Sequence, residues 1–367
     1  MKRADRGAWR GERLLGTLLA ALALAVFLVP AAGAQPFEAW LTMTGANGYV
    51  RVPGPALALS PTGAFTVEAW VAITNSTSAQ DCRSIAGKNY LQAWWIGQCT
   101  VGGQPVLRSY LKGGGSGKDG GVIPRGVWTH VAVTFDGATR RHYINGELAA
   151  SFADAGPLPA SNTDMRIGSD VSWEHTPTGS IDEVRVWNVA RSVAQIRSTI
   201  NVRITSPQPG LVGLWSLDGS PSDSVGGHGG VLFGTGIGFL SFAAGPPSCG
   251  ASTVSALCLQ GRFQITTKWR TNPTPGTPTD GDGHVVVAGA NSGIFWFFNS
   301  DNWEVMVKAI NACGLNSRYW IYSAATTDQF YRMEVFDFKG LKSKIYFNYP
   351  GAPAPALTDS DAFATCP

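Results

Sequence analysis

The chain has 367 residues, with 28 Lys+Arg against 25 Asp+Glu for a net charge of +3. Residues 1–34 hold five of the basic and two of the acidic side chains, so the remainder balances at 23 of each. That neutrality argues against nucleic acid or an anionic membrane surface as partner, since both call for a basic excess. The 45 Gly and 22 Pro suit short β-strands joined by many turns.

The N-terminus reads as an export signal. Lys2, Arg3, Arg6, Arg10 and Arg13 precede an apolar run over residues 14–29, and Ala32-Gly33-Ala34 supplies the small residues of a cleavage site. A signal peptide is expected over residues 1–34, with Gln35 as the new N-terminus. The apolar run falls short of the ~20 residues a membrane-spanning helix needs. The expected destination is therefore secreted: extracellular, cell-surface or periplasmic.

Strand signals follow in order. Tyr49–Val52 runs into Pro53-Gly54-Pro55, and Phe65–Val71 alternates, with Phe65, Val67, Ala69 and Val71 on one face as in a half-buried strand. Trp128–Phe135 is a further strand. His142–Ala149 reads as a hairpin, because Asn145-Gly146 tolerates the positive φ of a type I′ turn. Ile181–Trp187 is another strand, and Ser192 with Gln195 forms a capping box opening one short helix. Residues 243–248 break the pattern as a linker. Beyond it, Phe263, Ile265, Thr267 and Trp269 share a face, and strands are expected at Ile294–Phe298, Trp303–Val307, Tyr319–Tyr322, Tyr331–Phe336 and Ile345–Phe347. Thr271–Gly283, rich in Pro, Thr, Gly and Asp, reads as a long exposed loop. The expected class is all-β: a two-sheet antiparallel sandwich over residues 37–240, a linker at 241–250, and a second, smaller β-sandwich over 251–367.

Six cysteines, an even number, read as disulfides in an oxidising compartment. If pairs stay within domains, Cys82 joins Cys99. Cys249, Cys258, Cys313 and Cys366 then allow three connectivities, of which Cys249–Cys258 with Cys313–Cys366 is the most local.

The ordered motifs Tyr49-Val50, Phe65-Thr66-Val67-Glu68-Ala69-Trp70, Trp128-Thr129-His130-Val131-Ala132, Tyr143-Ile144-Asn145-Gly146, Arg166-Ile167-Gly168 and Ile181-Asp182-Glu183-Val184-Arg185-Val186-Trp187 resemble the bacterial laminin-G-like, concanavalin-A-like jelly-roll family. The resemblance covers residues ~37–240. It implies two packed antiparallel sheets, a binding or adhesion role toward a carbohydrate or extracellular protein at the rim, and a calcium ion there. On this chain the metal ligands would be Asn47, Asp170 and Asp182. The family's acidic pair before the Tyr-Val strand is replaced by Asn47-Gly48, leaving fewer carboxylates than calcium prefers. Trp173 and Glu174, in the loop after Ile167-Gly168, are the expected ligand-contacting residues. The C-terminal part resembles a domain of unknown function found at the ends of bacterial secreted proteins.

The fold also hosts glycan hydrolases and lyases, which makes an enzyme the alternative reading, with a non-binding envelope component as a third. Hydrolases need two carboxylates across the scissile bond. Asp182 and Glu183 are adjacent and so are expected on opposite faces of their strand. No Gly-x-Ser-x-Gly elbow or His-Glu-x-x-His occurs. His130 and His142 are expected to be structural. The sequence therefore points to a binding protein with no catalytic residues.

Overall fold

The computed structural model describes residues 38–75, 81–113, 116–171, 175–241, 248–271, 279–351 and 353–367. Most of the expected linker, together with Trp173 and Glu174, lies outside these residues. The protein is all-β, and every strand pairing is antiparallel.

Two sheets make the N-terminal jelly roll. The eight-stranded sheet runs Glu147–Ala153, Thr139–Ile144, Thr129–Phe135, Phe65–Ile73, Thr178–Trp187, Ala39–Thr44 and Ile237–Ser241, with Leu211–Trp215 also pairing Thr178–Trp187. The seven-stranded sheet runs Val231–Phe233, Tyr49–Val52, Met165–Ile167, Cys82–Gly87, Trp95–Val101, Gln104–Tyr110 and Lys118–Val122. Alternate residues of both meet in one apolar core that includes Val50, Phe65, Val67, Trp94, Ile96 and Val133.

Local chemistry fixes several joints. Asn145 and Gly146 adopt φ of 50° and 76°, as a type I′ turn requires. Ser192 caps the helix Val193–Thr199 through a complete capping box with Gln195.

Phe65–Ile73 departs from its half-buried expectation. Phe65, Val67, Ala69 and Val71 face the core, but Thr66, Glu68 and Trp70 on the opposite face are buried as well. Residues 189–200 cover that face: Thr66 Oγ1 donates to the Val189 carbonyl at 2.7 Å, and Trp70 Nε1 to the Ile200 carbonyl at 3.0 Å. Alternation describes which side a residue takes and is blind to a second layer laid over the outside.

That second layer includes the C-terminal sandwich. One of its sheets orders Ala256–Leu259, Phe263–Arg270, Phe330–Asp337 and Lys342–Asn348, with Asp280–Asp282 beside Phe263–Arg270. The other orders His284–Val287, Ser292–Trp296, Val305–Ala312, Arg318–Ala325 and Leu357–Phe363. Ile345 packs with Trp70 and Ile200, and Phe347 lies near-parallel to Trp70 at 6.3 Å between ring centres. Arg197 sits 3.7 Å over the Tyr349 ring while its Nε donates to the Gly146 carbonyl at 2.9 Å. Arg270 pairs with Glu147, and Lys342 with Glu38.

Of the long loop expected at Thr271–Gly283, residues 272–278 lie outside the described residues, and its last part is a strand. Asp280–Asp282 folds back on Lys268–Arg270, and Gly281 leaves room for the Trp269 indole, whose Nε1 donates to the Asp282 carbonyl at 3.1 Å. Three disulfides join Cys82 to Cys99, Cys249 to Cys258 and Cys313 to Cys366, the most local of the possible patterns. Among the described residues no helix is long and apolar enough to cross a membrane.

Candidate ligand-binding face

The outer face of the seven-stranded sheet is where side chains suited to a ligand gather. Trp94 and Trp95, adjacent in sequence, take opposite sides. Trp94 enters the core, donating Nε1 to the Leu59 carbonyl at 2.8 Å. Trp95 turns outward and lies over Gly97 and Gly87, its Nε1 donating to Ser84 Oγ at 2.9 Å. A side chain at either glycine would occupy the space of the indole.

Two tyrosines sit against this indole. Tyr110, directly across from Trp95 in register, has its ring centre 5.7 Å away, and Tyr90 meets Tyr110 edge-on at 5.6 Å. Both tyrosines are half-buried. Arg108, two residues before Tyr110 and so on the same face, makes a forked pair with Asp119 at 2.5 and 2.7 Å. Arg83 pairs with Asp81 at 3.0 Å, beside the Cys82–Cys99 bridge. Farther along, the Arg166 guanidinium stacks 4.3 Å over the Tyr49 ring, and Arg51 holds Asp164 at 2.5 Å. The His175 carbonyl accepts from Ser84 N at 2.8 Å, and burial, with repulsion from Arg83, lowers the His175 pKa. The face thus offers ring surfaces edged by charge-balanced Arg–Asp pairs.

The residues expected to hold calcium do not assemble. Asp170 is buried against this sheet, over Gly87, where its carboxylate accepts from Asn89 N at 2.9 Å and Tyr90 N at 3.2 Å. Asn47 lies between the first two strands, and its amide oxygen accepts from Thr235 N at 3.1 Å and Thr235 Oγ1 at 3.0 Å. Asp182 is on the other sheet, opposite Trp70 and facing away from the core. Asp170 and Asp182 are therefore separated by the whole sandwich, whose sheets lie ~10 Å apart. Among the described residues, no group of three or more His, Cys, Asp or Glu side chains is placed to hold a metal. The residues do not fit the ion; Asp170 instead anchors the turn that carries Tyr90.

Asp182 and Glu183 also correct the sequence expectation. They lie at a β-bulge: Asp182 pairs with Trp70 and Arg185 with Glu68, so one extra residue fits between them. Glu183 takes φ 49°, and Glu183, Arg185 and Asp182 all end on the same outer face. The bulge breaks the two-residue period on which opposite faces depended.

These acids belong to a buried charge cluster. Glu68 accepts from Arg191 at 2.8 Å and from Trp187 Nε1 at 3.0 Å, with Arg185 at 3.7 Å and His130 at 3.7 Å. Burial pushes the Glu68 carboxyl up, but Arg191 and Arg185 outweigh it and hold its pKa below the ordinary value. Burial drives His130 down to about 3, so it is neutral. Burial, then repulsion from Glu183 and Asp218, raises Asp182 well above the usual carboxylate range. Among the described residues, neither Asp182 oxygen has a side-chain hydrogen-bond partner. With both acids completely buried, this pair is closed to a polysaccharide chain.

The sequence reading missed Tyr90, Tyr110, Arg83 and Arg108. The available signal was the period-two placing of Arg108 and Tyr110, with a glycine at 97 two residues beyond Trp95 and one at 87 across from it.

Residues 44–197 match the concanavalin A-like lectin/glucanases superfamily. No curated protein matches the chain. Among solved structures, a putative carbohydrate binding protein from Bacteroides ovatus is 23% identical, with 56% of this chain and 60% of that chain covered and a TM-score of 0.46. Domain 4 of the extracellular GH43 arabinanase AbnA from Geobacillus stearothermophilus, in complex with arabinotriose, is 26% identical over 42% of this chain and 73% of that chain, with a TM-score of 0.34. The CBM40 of the Ruminococcus gnavus IT-sialidase, bound to sialyllactose, is 14% identical over 45% of this chain and 100% of that chain, with a TM-score of 0.35. The chain spans 60% of the length of the Bacteroides protein.

Proposed function

We propose that this chain is a secreted carbohydrate-binding protein that takes a glycan on the outer face of the seven-stranded sheet, with Tyr90 and Tyr110 as its stacking surface. The observation that carries this reading is the half-buried tyrosine pair backed by Trp95 and edged by the Arg108–Asp119 fork. Aromatic faces carry negative charge density and attract the weakly positive C–H faces of sugar rings. Fixed Arg and Asp groups beside them supply directional donors and acceptors for hydroxyl groups.

Six of the seven strands of this sheet fall within the residues matching the lectin/glucanase superfamily, which supports a sugar as ligand. Among the described residues, the face places no pair of free carboxylates around the tyrosines: Asp119 and Asp81 are each held by an arginine, and Asp170 by backbone N–H groups. That arrangement favours binding over hydrolysis. The three disulfides and the basic, then apolar, N-terminal sequence support export.

A glycan panel probed with the exported protein tests the reading. Binding to a defined glycan, lost on Tyr90→Ala or Tyr110→Ala with unchanged melting, is the expected result. Release of reducing ends from the bound polysaccharide would show an enzyme instead.

A further inference from the structure

The C-terminal sandwich carries a second half-buried aromatic face, distinct in position and charge from the first. In its five-stranded sheet of His284–Val287 to Leu357–Phe363, Phe295, Val305, Val307, Ala309 and Ile321 point inward to the core. Their strand neighbours must therefore point out. Cross-strand register then sets Trp320 beside Ile310, Tyr322 beside Lys308, and Thr358 beside Tyr322. The Trp320 and Tyr322 rings are near-parallel, tilted by 17° with centres 5.7 Å apart.

This platform is held in place. Trp320 Nε1 donates to Asn316 Oδ1 at 3.0 Å, and Asn316 Nδ2 donates to the Ser360 carbonyl at 2.9 Å. Asn316 ends a short helical turn that begins at Cys313, which is tied to Cys366. A ring fixed before binding loses little freedom on contact. A shallow depression of about 200 Å³ adjoins it, bordered by Met306, Lys308, Tyr322 and Thr358. Ile345 and Phe347, which meet the jelly roll, belong to the opposite sheet of the sandwich, so that contact leaves this platform open.

Charge narrows the ligand. Lys308 is exposed and, among the described residues, has no ion-pair partner. Among the described residues, no carboxylate occupies an outward position beside it: Asp359 turns inward to Lys344 and Tyr346, and Asp361 is held by Arg318 at the end of the sheet. An unpaired cation beside the Tyr322 ring complements one negative charge per sugar or fewer. Densely sulfated chains instead call for clusters of cations.

We propose that this face binds a polyuronate, with sugar rings on Trp320 and Tyr322 and a uronate carboxylate at Lys308. The site is independent of the tyrosine face on the jelly roll.

The test measures binding of the full exported chain to polygalacturonate, to its methyl-esterified and hence uncharged form, and to dextran sulfate. The expected result is binding to polygalacturonate that weakens about tenfold in Trp320→Ala, Lys308→Gln and the methyl ester, while Tyr110→Ala leaves it unchanged. Lys308→Gln is a surface change that keeps the fold, so it reads the charge even if Trp320→Ala lowers stability. No binding to polygalacturonate, equal binding to its ester, binding insensitive to Lys308→Gln, or tighter binding to dextran sulfate would each overturn the proposal. A loss in Tyr110→Ala alone would assign the polyuronate to the jelly roll and likewise overturn it.

Discussion

Trp95 lies across Gly97 so closely that a Cβ atom on the glycine would stand 2.2 Å from the indole Cη2 and 2.4 Å from the Arg83 carbonyl oxygen. The glycine is thus part of the ring platform, since its missing side chain is the space the indole fills.

Gly97→Ala is therefore expected to displace Trp95 and loosen Tyr110, which rests against it. Overpacking of this kind costs about 1–3 kcal/mol. Denaturant unfolding would measure the loss, and glycan affinity should fall with it.

Glu68 should be among the most sensitive positions in the jelly roll. Glu68→Ala leaves Arg185 and Arg191 buried without their shared carboxylate, a loss of about 3–5 kcal/mol for a broken buried pair. Because the folded state lowers the Glu68 pKa below 4.5, its contribution is present above that value and is lost as pH falls through the folded one. Urea unfolding of the variant and the natural chain from pH 7 down to pH 3 should show the gap narrowing at the acid end.

Asp182 has the opposite sign. Its folded pKa lies above the 3.8 of the unfolded chain, so the folded state binds a proton the unfolded state has released, and stability declines as pH rises through that window. Asp182→Asn cannot ionise in either state. It should be more stable than the natural chain at pH 7, with the gain shrinking as pH approaches 3.8. A thermal melt series across pH checks this, and a destabilised variant at pH 7 would show that the charged form is the one the fold holds.

The disulfides should differ in worth. Chain entropy predicts about 4 kcal/mol for a loop like that of Cys313–Cys366, with its separation of 53, and about 2.6 kcal/mol for Cys249–Cys258, with its separation of 9. Paired Cys→Ala variants compared by urea unfolding read this order directly.

Local chemistry was legible in the sequence. Asn145-Gly146 and the Ser192–Gln195 box announce a turn and a helix start because each is satisfied within a few residues. Non-local events were not. The bulge at Glu183 lies in a strand that reads as regular, and it is expressed only against Trp70 and Glu68 on the next strand. The outer burial of Trp70 depends on Ile345 and Phe347, almost 280 residues farther on. The tyrosine face combines residues from separate strands and a turn, with no motif spanning them, and Asp170 proved to be the anchor of that turn rather than a metal ligand.

The most direct test of the central reading is calorimetric titration of the exported protein with the best glycan from the panel, alongside Tyr110→Ala and with or without EDTA. Binding is expected to weaken about tenfold, or 1.4 kcal/mol, in Tyr110→Ala and to be unchanged by the chelator. Affinity unaltered by Tyr110→Ala, or abolished by EDTA, would contradict it.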